Sequence, residues 1–196
     1  MASALPGLDQ PISMLGDYVA SQAKTLRFKN HAFGGSTVTQ IPNHGEQPRK
    51  LFRIDAKTPG MSAAKRVFHD AEGNTLFELR RNWTRQDSTI TLSGEGSPQL
   101  ALFAPRLSCL KDSLDVFVSS EKGRDDDILE VRGQDIWKKN TCVYRGKDLV
   151  MQVRSVNAAT FYIPCVNNEW DVNVAQGMDL SLVCIMQSSH GQCSNR

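Results

Sequence analysis

The segment AQGMDLSLVCIMQ, residues 175–187, limits the fold more than any other stretch of the chain. From Leu180 to Met186 it leaves no clean polar face. It has the length and continuous apolarity of a helix, which at 1.5 Å per residue extends about 20 Å. That falls short of the ~30 Å hydrocarbon core of a bilayer. A helix that is apolar all round belongs in an interior and must be covered on nearly every side. Asp179, near its start, suits the positive end of the helix dipole and the free N–H groups there. The segment therefore reads as the filling of a fold, and the rest of the chain must supply the cover.

What precedes it is a succession of short β-type runs. From Gln22 these are QAKTLRFK, STVTQI, RKLFRID, AKRVFHD, TLFELRRNW and STITL, followed by QLALFAP, SLDVFVSS and DILEVRG. DIWKK, CVYRG, LVMQVRS, TFYIPCV and the strand-like DVNV complete the series. The runs are rich in β-branched and aromatic residues and bounded by Gly, Pro, Asn or Asp, as strands are. Several alternate: Leu114, Val116 and Val118 share one side, and Asp115, Phe117 and Ser119 the other. Two hairpins are signalled. One turns at 70–74, where Asp, Gly and Asn tolerate φ > 0, and the other turns at Gly146 between Tyr144 and Val150. About a dozen strands at this spacing predict an all-β barrel or sandwich, with a sheet curled around the terminal helix. Residues 1–20 show no sustained period and read as an irregular arm; 189–196 read as a polar tail.

At 196 residues the chain suits one domain. A net charge of +2 and a pI near 8.3 are too weakly basic to imply nucleic acid. Cys109, Cys142, Cys165, Cys184 and Cys193 form no CxxC pair and have no zinc spacing to the histidines. They read as reduced thiols, most of them buried, of an intracellular protein. No run reaches the ~20 apolar residues of a spanning helix. The start, MASALPGLDQ, lacks the basic and apolar regions of a secretory signal.

Signatures of enzymes are missing: there is no GxSxG, HExxH, P-loop or GxGxxG. Cys184 as a nucleophile is disfavoured by its aliphatic neighbours. His69 and Asp70, adjacent on a strand, point to opposite faces and make a poor acid–base pair. The run Asp125-Asp126-Asp127 lacks the alternating ligands of a calcium loop and reads as a solvated turn. The expectation is a non-enzymatic protein with no cofactor and no metal.

RVFHDAEGNTLFELRRNW (66–83), VYRGKDLVMQV (143–153) and NNEWDVNVAQGMDLSLVCIM (167–186) resemble the LURP-one-related proteins. These share a fold with the C-terminal domain of tubby proteins and with phospholipid scramblases. The resemblance, which runs over residues 22–188 in order and spacing, implies a roughly twelve-stranded β-barrel wrapped around a central hydrophobic C-terminal helix. The barrel domain would then occupy residues 21–188. The chain has neither the Pro-rich arm nor the palmitoylated cysteine cluster of scramblases, so scramblase activity is not expected to carry over. Tubby domains bind phosphoinositides through Lys and Arg side chains, which the resemblance does not place here residue by residue.

The basic residues are the most usable functional lead. Arg80, Arg81, Trp83 and Arg85 cluster at a strand end, Lys138 and Lys139 follow Trp137, and Lys65 and Arg66 lie on the strand that pairs with 75–81. Guanidinium forks suit phosphate, and Trp favours a membrane–water interface. Each such cation contributes about 1 kcal/mol near an anionic surface, enough for weak, salt-sensitive attachment. These residues therefore predict peripheral recognition of anionic phospholipid, with phosphoinositide as the candidate. The alternative is a protein-interaction scaffold on which the charges only solubilise outward faces. The corresponding location is cytoplasmic, at a membrane periphery or nuclear.

Overall fold

Alternation of apolar and polar residues gives each strand one face that must be buried, and twelve such strands bury it by closing on themselves. A computed structural model describes residues 5–31, 35–42, 47–56, 65–81, 88–92, 99–106, 113–119, 127–133, 140–156 and 169–190. Its strands are β1 (Lys24–Asn30), β2 (Ser36–Ile41), β3 (Arg49–Ala56), β4 (Lys65–His69), β5 (Thr75–Arg81) and β6 (Ser88–Leu92). Then come β7 (Gln99–Arg106), β8 (Ser113–Val118), β9 (Asp127–Gly133), β10 (Asn140–Arg145), β11 (Asp148–Ser155) and β12 (Glu169–Val174). The helix α1 spans Leu180–His190 and ends the described chain. Two expected strands, DIWKK and TFYIPCV, lie outside the described residues.

Every strand pairs antiparallel with its neighbours in sequence, and β1 also pairs with β12, from Lys24↔Val174 to Lys29↔Glu169. An even strand number lets an up-and-down meander close in this way with no edge left open. Register shifts at Val38/Thr39, Phe68/His69, Ile90/Thr91 and Val143/Tyr144 mark bulges, which bend strands and help a sheet curl.

A barrel of about eight strands is just filled by its own side chains. Twelve strands leave a wider lumen, and α1 fills it. Leu182, Val183, Cys184 and Ile185 are fully buried, and Leu180 and Met186 nearly so. Around them close the inward side chains of the wall, among them Phe28, Phe52, Phe68, Phe77 and Phe103. Burying each large aliphatic contributes about 1.5–3 kcal/mol. Val116 and Val118 face this core, with Leu114 packed at its margin, as the alternation predicts.

The helix begins at Leu180, five residues later than the apolar segment, because Ala175–Asp179 form its entry and cap. Gly177 has φ +88°, and a Cβ there would approach the Leu8 side chain to 3.2 Å. Both the left-handed backbone and the close contact call for glycine. At the other end α1 runs through His190, so two residues of the expected tail are helical.

The expected arm is irregular, yet it is part of the core. Ile12, Met14 and Ala20 are buried. Leu8 N donates to Gln176 O, Ile12 N to Gly177 O, Ala20 N to Met178 O, and Asp179 N returns a bond to Ile12 O. These bonds stopper the barrel mouth where the helix begins. Strand and helix periods could not show this, since the arm pairs through isolated bridges, Ile12↔Met178 and Val19↔Asp179.

Candidate functional site

The β4–β5 hairpin carries the described part of the basic cluster. Its turn is built by Asp70, whose two carboxylate oxygens accept from Asn74 N (2.8 Å) and Asn74 Nδ2 (2.9 Å), and by Gly73 at φ +95°. That side-chain bond from Asn74 is the largest of the contributions that hold the Asp70 carboxyl below its usual range. Phe68 and Phe77 stack across the strands with centroids 4.6 Å apart, which sets the register. Lys65 consequently lies directly opposite Arg80 at the open end.

Cross-strand partners share a face, so Lys65, Glu78 and Arg80 all look outward. Glu78 stands between the two cations. Lys65 Nζ reaches its Oε1 at 2.6 Å and Arg80 Nη2 its Oε2 at 3.0 Å. The bond from Lys65, then that from Arg80, holds the Glu78 carboxyl below its usual range. Arg80 stays exposed, with 59% of its side chain open to solvent. The three charges sum to one net positive charge.

Arg66 does not join this group. It pairs with Leu79 on the face that carries Phe68 and Phe77, so it is turned toward the barrel interior and half-buried. Burial lowers its pKa by working against the charged form. Consecutive strand residues cannot share a face, so Lys65 and Arg66, adjacent on β4, point to opposite sides of the wall. Arg81 is opposite Ser88 in the β5–β6 pairing. Trp83, Arg85, Lys138 and Lys139 lie outside the described residues.

Elsewhere the outer wall is laced with ion pairs. Arg27 holds Asp171 with two bonds of 2.8 and 3.0 Å, Lys29 meets Glu169 at 3.3 Å, and Arg53 meets Asp55 at 2.8 Å. Asp127, of the acidic run, is held by Arg145 at 2.6 Å. His69 approaches Asp55 and Thr75, while Asp70 serves the turn, so these two neighbours form no acid–base pair. The Cys184 thiol is buried in the helix, and desolvation pushes it well above the usual range. Among the described residues no three His, Cys, Asp or Glu are grouped as metal ligands, and no helix is long and apolar enough to cross a membrane.

The tertiary structure also creates a site with no linear signature. At the stoppered mouth, on the turn side of the hairpin, a cleft of about 240 Å³ opens between the arm, β1, β2, β3, the 70–72 turn and the first residue of α1. Leu51, Phe52 and Leu180 supply its apolar lining. Lys24, Gln40 and Arg49 contribute from the strand ends, and Asp17, Tyr18 and Glu72 from the arm and turn. Lys24 and Gln40 occupy inward positions, in register with Val174 and Leu26. Polar residues at inward positions near strand ends are the signal that could have found them.

A helix-plugged, closed, antiparallel barrel built in strict meander order defines the class of this protein. The family model described as LURP-one-related matches residues 24–187, and the chain belongs to that family. A crystal structure of an Arabidopsis thaliana protein aligns with TM-score 0.66 at 18% identity, covering 95% of this chain and 99% of that one. Identity at that level speaks to the fold alone. Comparison with curated proteins returned no match.

Proposed function

We propose that the domain is a non-enzymatic binding module that recognises anionic phospholipid at the open end of the β4–β5 hairpin. The observation that carries this reading is the outward Lys65–Glu78–Arg80 group, which keeps a net positive charge and an exposed guanidinium. The chain continues directly from it into Arg81, Trp83 and Arg85. The side chains of α1 are buried in the lumen, which favours recognition on the outer surface and the rims. Lys138 and Lys139 are the further cations of the proposed surface. Phosphoinositide is the proposed headgroup, since its clustered phosphates suit guanidinium forks. Vesicle flotation at physiological salt tests it. Phosphoinositide vesicles should recover the protein, neutral vesicles should not, and the double variant Arg80→Glu, Arg81→Glu should lose recovery. Equal recovery with both vesicle types overturns the reading.

A second reading, a protein-interaction scaffold, is favoured by the ion pairs of the wall. Glu78 already satisfies Lys65 and Arg80, and such exposed pairs serve solubility at about 0–1 kcal/mol each. A pull-down partner retained at high salt and by the same double variant would support it.

A further inference from the structure

The cleft at the stoppered mouth brings opposite charges to one small space without letting them meet. Lys24 and Arg49 enter from strand ends, Asp17 from the arm and Glu72 from the hairpin turn. Among the described residues, none of the four forms an ion pair, whereas neighbours on the outer wall close their pairs at 2.6–3.4 Å. Asp70 also borders the cleft, but Asn74 already occupies both of its oxygens. Asp70 nevertheless keeps its charge, so two cations and three carboxylates line the cleft.

The two sides differ in chemistry. On one, the Tyr18 ring packs against Phe52 with centroids 5.2 Å apart. Burial, then the carboxylates of Asp70, Asp17, Glu72 and Asp179, hold its hydroxyl above the usual range. An aromatic ring beside carboxylates suits an ammonium group, through the ring quadrupole and Coulomb attraction. On the other, the Arg49 fork, the Lys24 ammonium and the Gln40 amide suit a carboxylate. Between them, Leu51, Phe52 and Leu180 offer apolar surface. At about 240 Å³ the space is below the roughly 300–1,000 Å³ that takes a drug-sized ligand.

We infer that this cleft binds a small net-neutral amino carboxylate, an amino acid or dipeptide with an apolar side chain, ammonium toward Asp17, Tyr18 and Glu72 and carboxylate toward Lys24 and Arg49. The inference is independent of the lipid reading. The cleft is at the turn end of the β4–β5 hairpin, and Lys65 and Arg80 are at its open end.

The test is a titration of the full chain, followed by amide chemical shifts, with leucine, leucyl-leucine, 4-methylpentanoate and 3-methylbutylamine. The zwitterions should give saturable shifts at Tyr18, Gln40 and Glu72. The two single-charge analogues should bind at least about tenfold more weakly, because each forfeits one set of charge-assisted bonds. Both Arg49 and Glu72 are exposed, so Arg49→Ala and Glu72→Gln should leave the fold intact and weaken the zwitterions by a similar factor. Either of two outcomes overturns the inference: no saturable shift with either zwitterion, or equal binding by the single-charge analogues. Flotation of Glu72→Gln on phosphoinositide vesicles should match the unaltered chain, which separates this site from the proposed lipid surface.

Discussion

Asp179 Oδ2 accepts the backbone N–H of Met14 at 2.8 Å, a bond between residues 165 positions apart that joins the arm to the helix cap. The same oxygen takes the Leu15 N–H at 2.9 Å, while Oδ1 takes the Ser181 N–H at 2.8 Å and the Ser181 hydroxyl at 2.6 Å. A fully buried carboxylate with four donors is satisfied, so it can sit among apolar neighbours without a cationic partner. One side chain thus caps α1 and locks the stopper over the barrel mouth.

Removing that carboxylate should destabilise the domain strongly. Asp179→Ala loses a helix cap worth about 1 kcal/mol and strands the Met14 and Leu15 N–H groups, each costing about 1–3 kcal/mol. We expect a loss of at least 3 kcal/mol in urea unfolding. Asp179→Asn should also be destabilised, because an amide nitrogen cannot accept where Oδ2 does. An Asp179→Ala variant within 1 kcal/mol of the parent would show that the four bonds contribute little.

The arm should behave as core rather than as appendage. Ile12 is as fully buried as Leu182 of the helix. Ile12→Ala and Leu182→Ala should each cost about 2–5 kcal/mol, the range for emptying a packed site. Leu182→Asp should abolish soluble folding, since it places an unpaired carboxylate in the lumen. A stable, soluble Leu182→Asp domain would overturn the central-helix reading.

Acid should weaken the hairpin through Glu78. Its pKa is lowered in the folded state by Lys65 and Arg80, so its contribution is present above the ordinary value of 4.5 and fades as pH falls through the lower, folded value. The effect is about 1 kcal/mol or less, given the exposure of Arg80. Glu78→Gln should therefore be less stable than the parent at neutral pH, and the gap should narrow below pH 4.5. A gap that is constant with pH would assign the loss to packing.

The two described thiols should resist alkylation in the folded protein. Cys142 and Cys184 are both buried, and desolvation raises both pKa values, suppressing the reactive thiolate. Mass spectrometry after iodoacetamide should find both unmodified until urea is added. Modification of Cys184 at the rate of a free thiol would mean that the barrel opens readily.

Residues that act through the period of their own strand were legible. The alternation over 114–118 placed Val116 and Val118 inside, the 70–74 turn formed where Asp, Gly and Asn allowed it, and the apolar 180–186 run became the filling. Proximity along a hairpin is not proximity on a face: Lys65 looks out while its neighbour Arg66 looks in. The role of Glu78 comes from register, which sets it between Lys65 and Arg80.

The sequence by itself determined that this chain is a strand meander around a buried helix, since period-two alternation and an all-round apolar segment each have one stable use. Only the tertiary structure decided what remains chemically open. Pairing β1, β2, β3 and β4 side by side, with the arm docked on the helix cap, carries Asp17, Lys24, Arg49 and Glu72 to one rim, while pairing across the wall joins cations such as Lys65 and Arg27 to carboxylates. Burial follows local pattern, but charge acts over distances of a few ångströms. Those distances are set by which strand lies beside which.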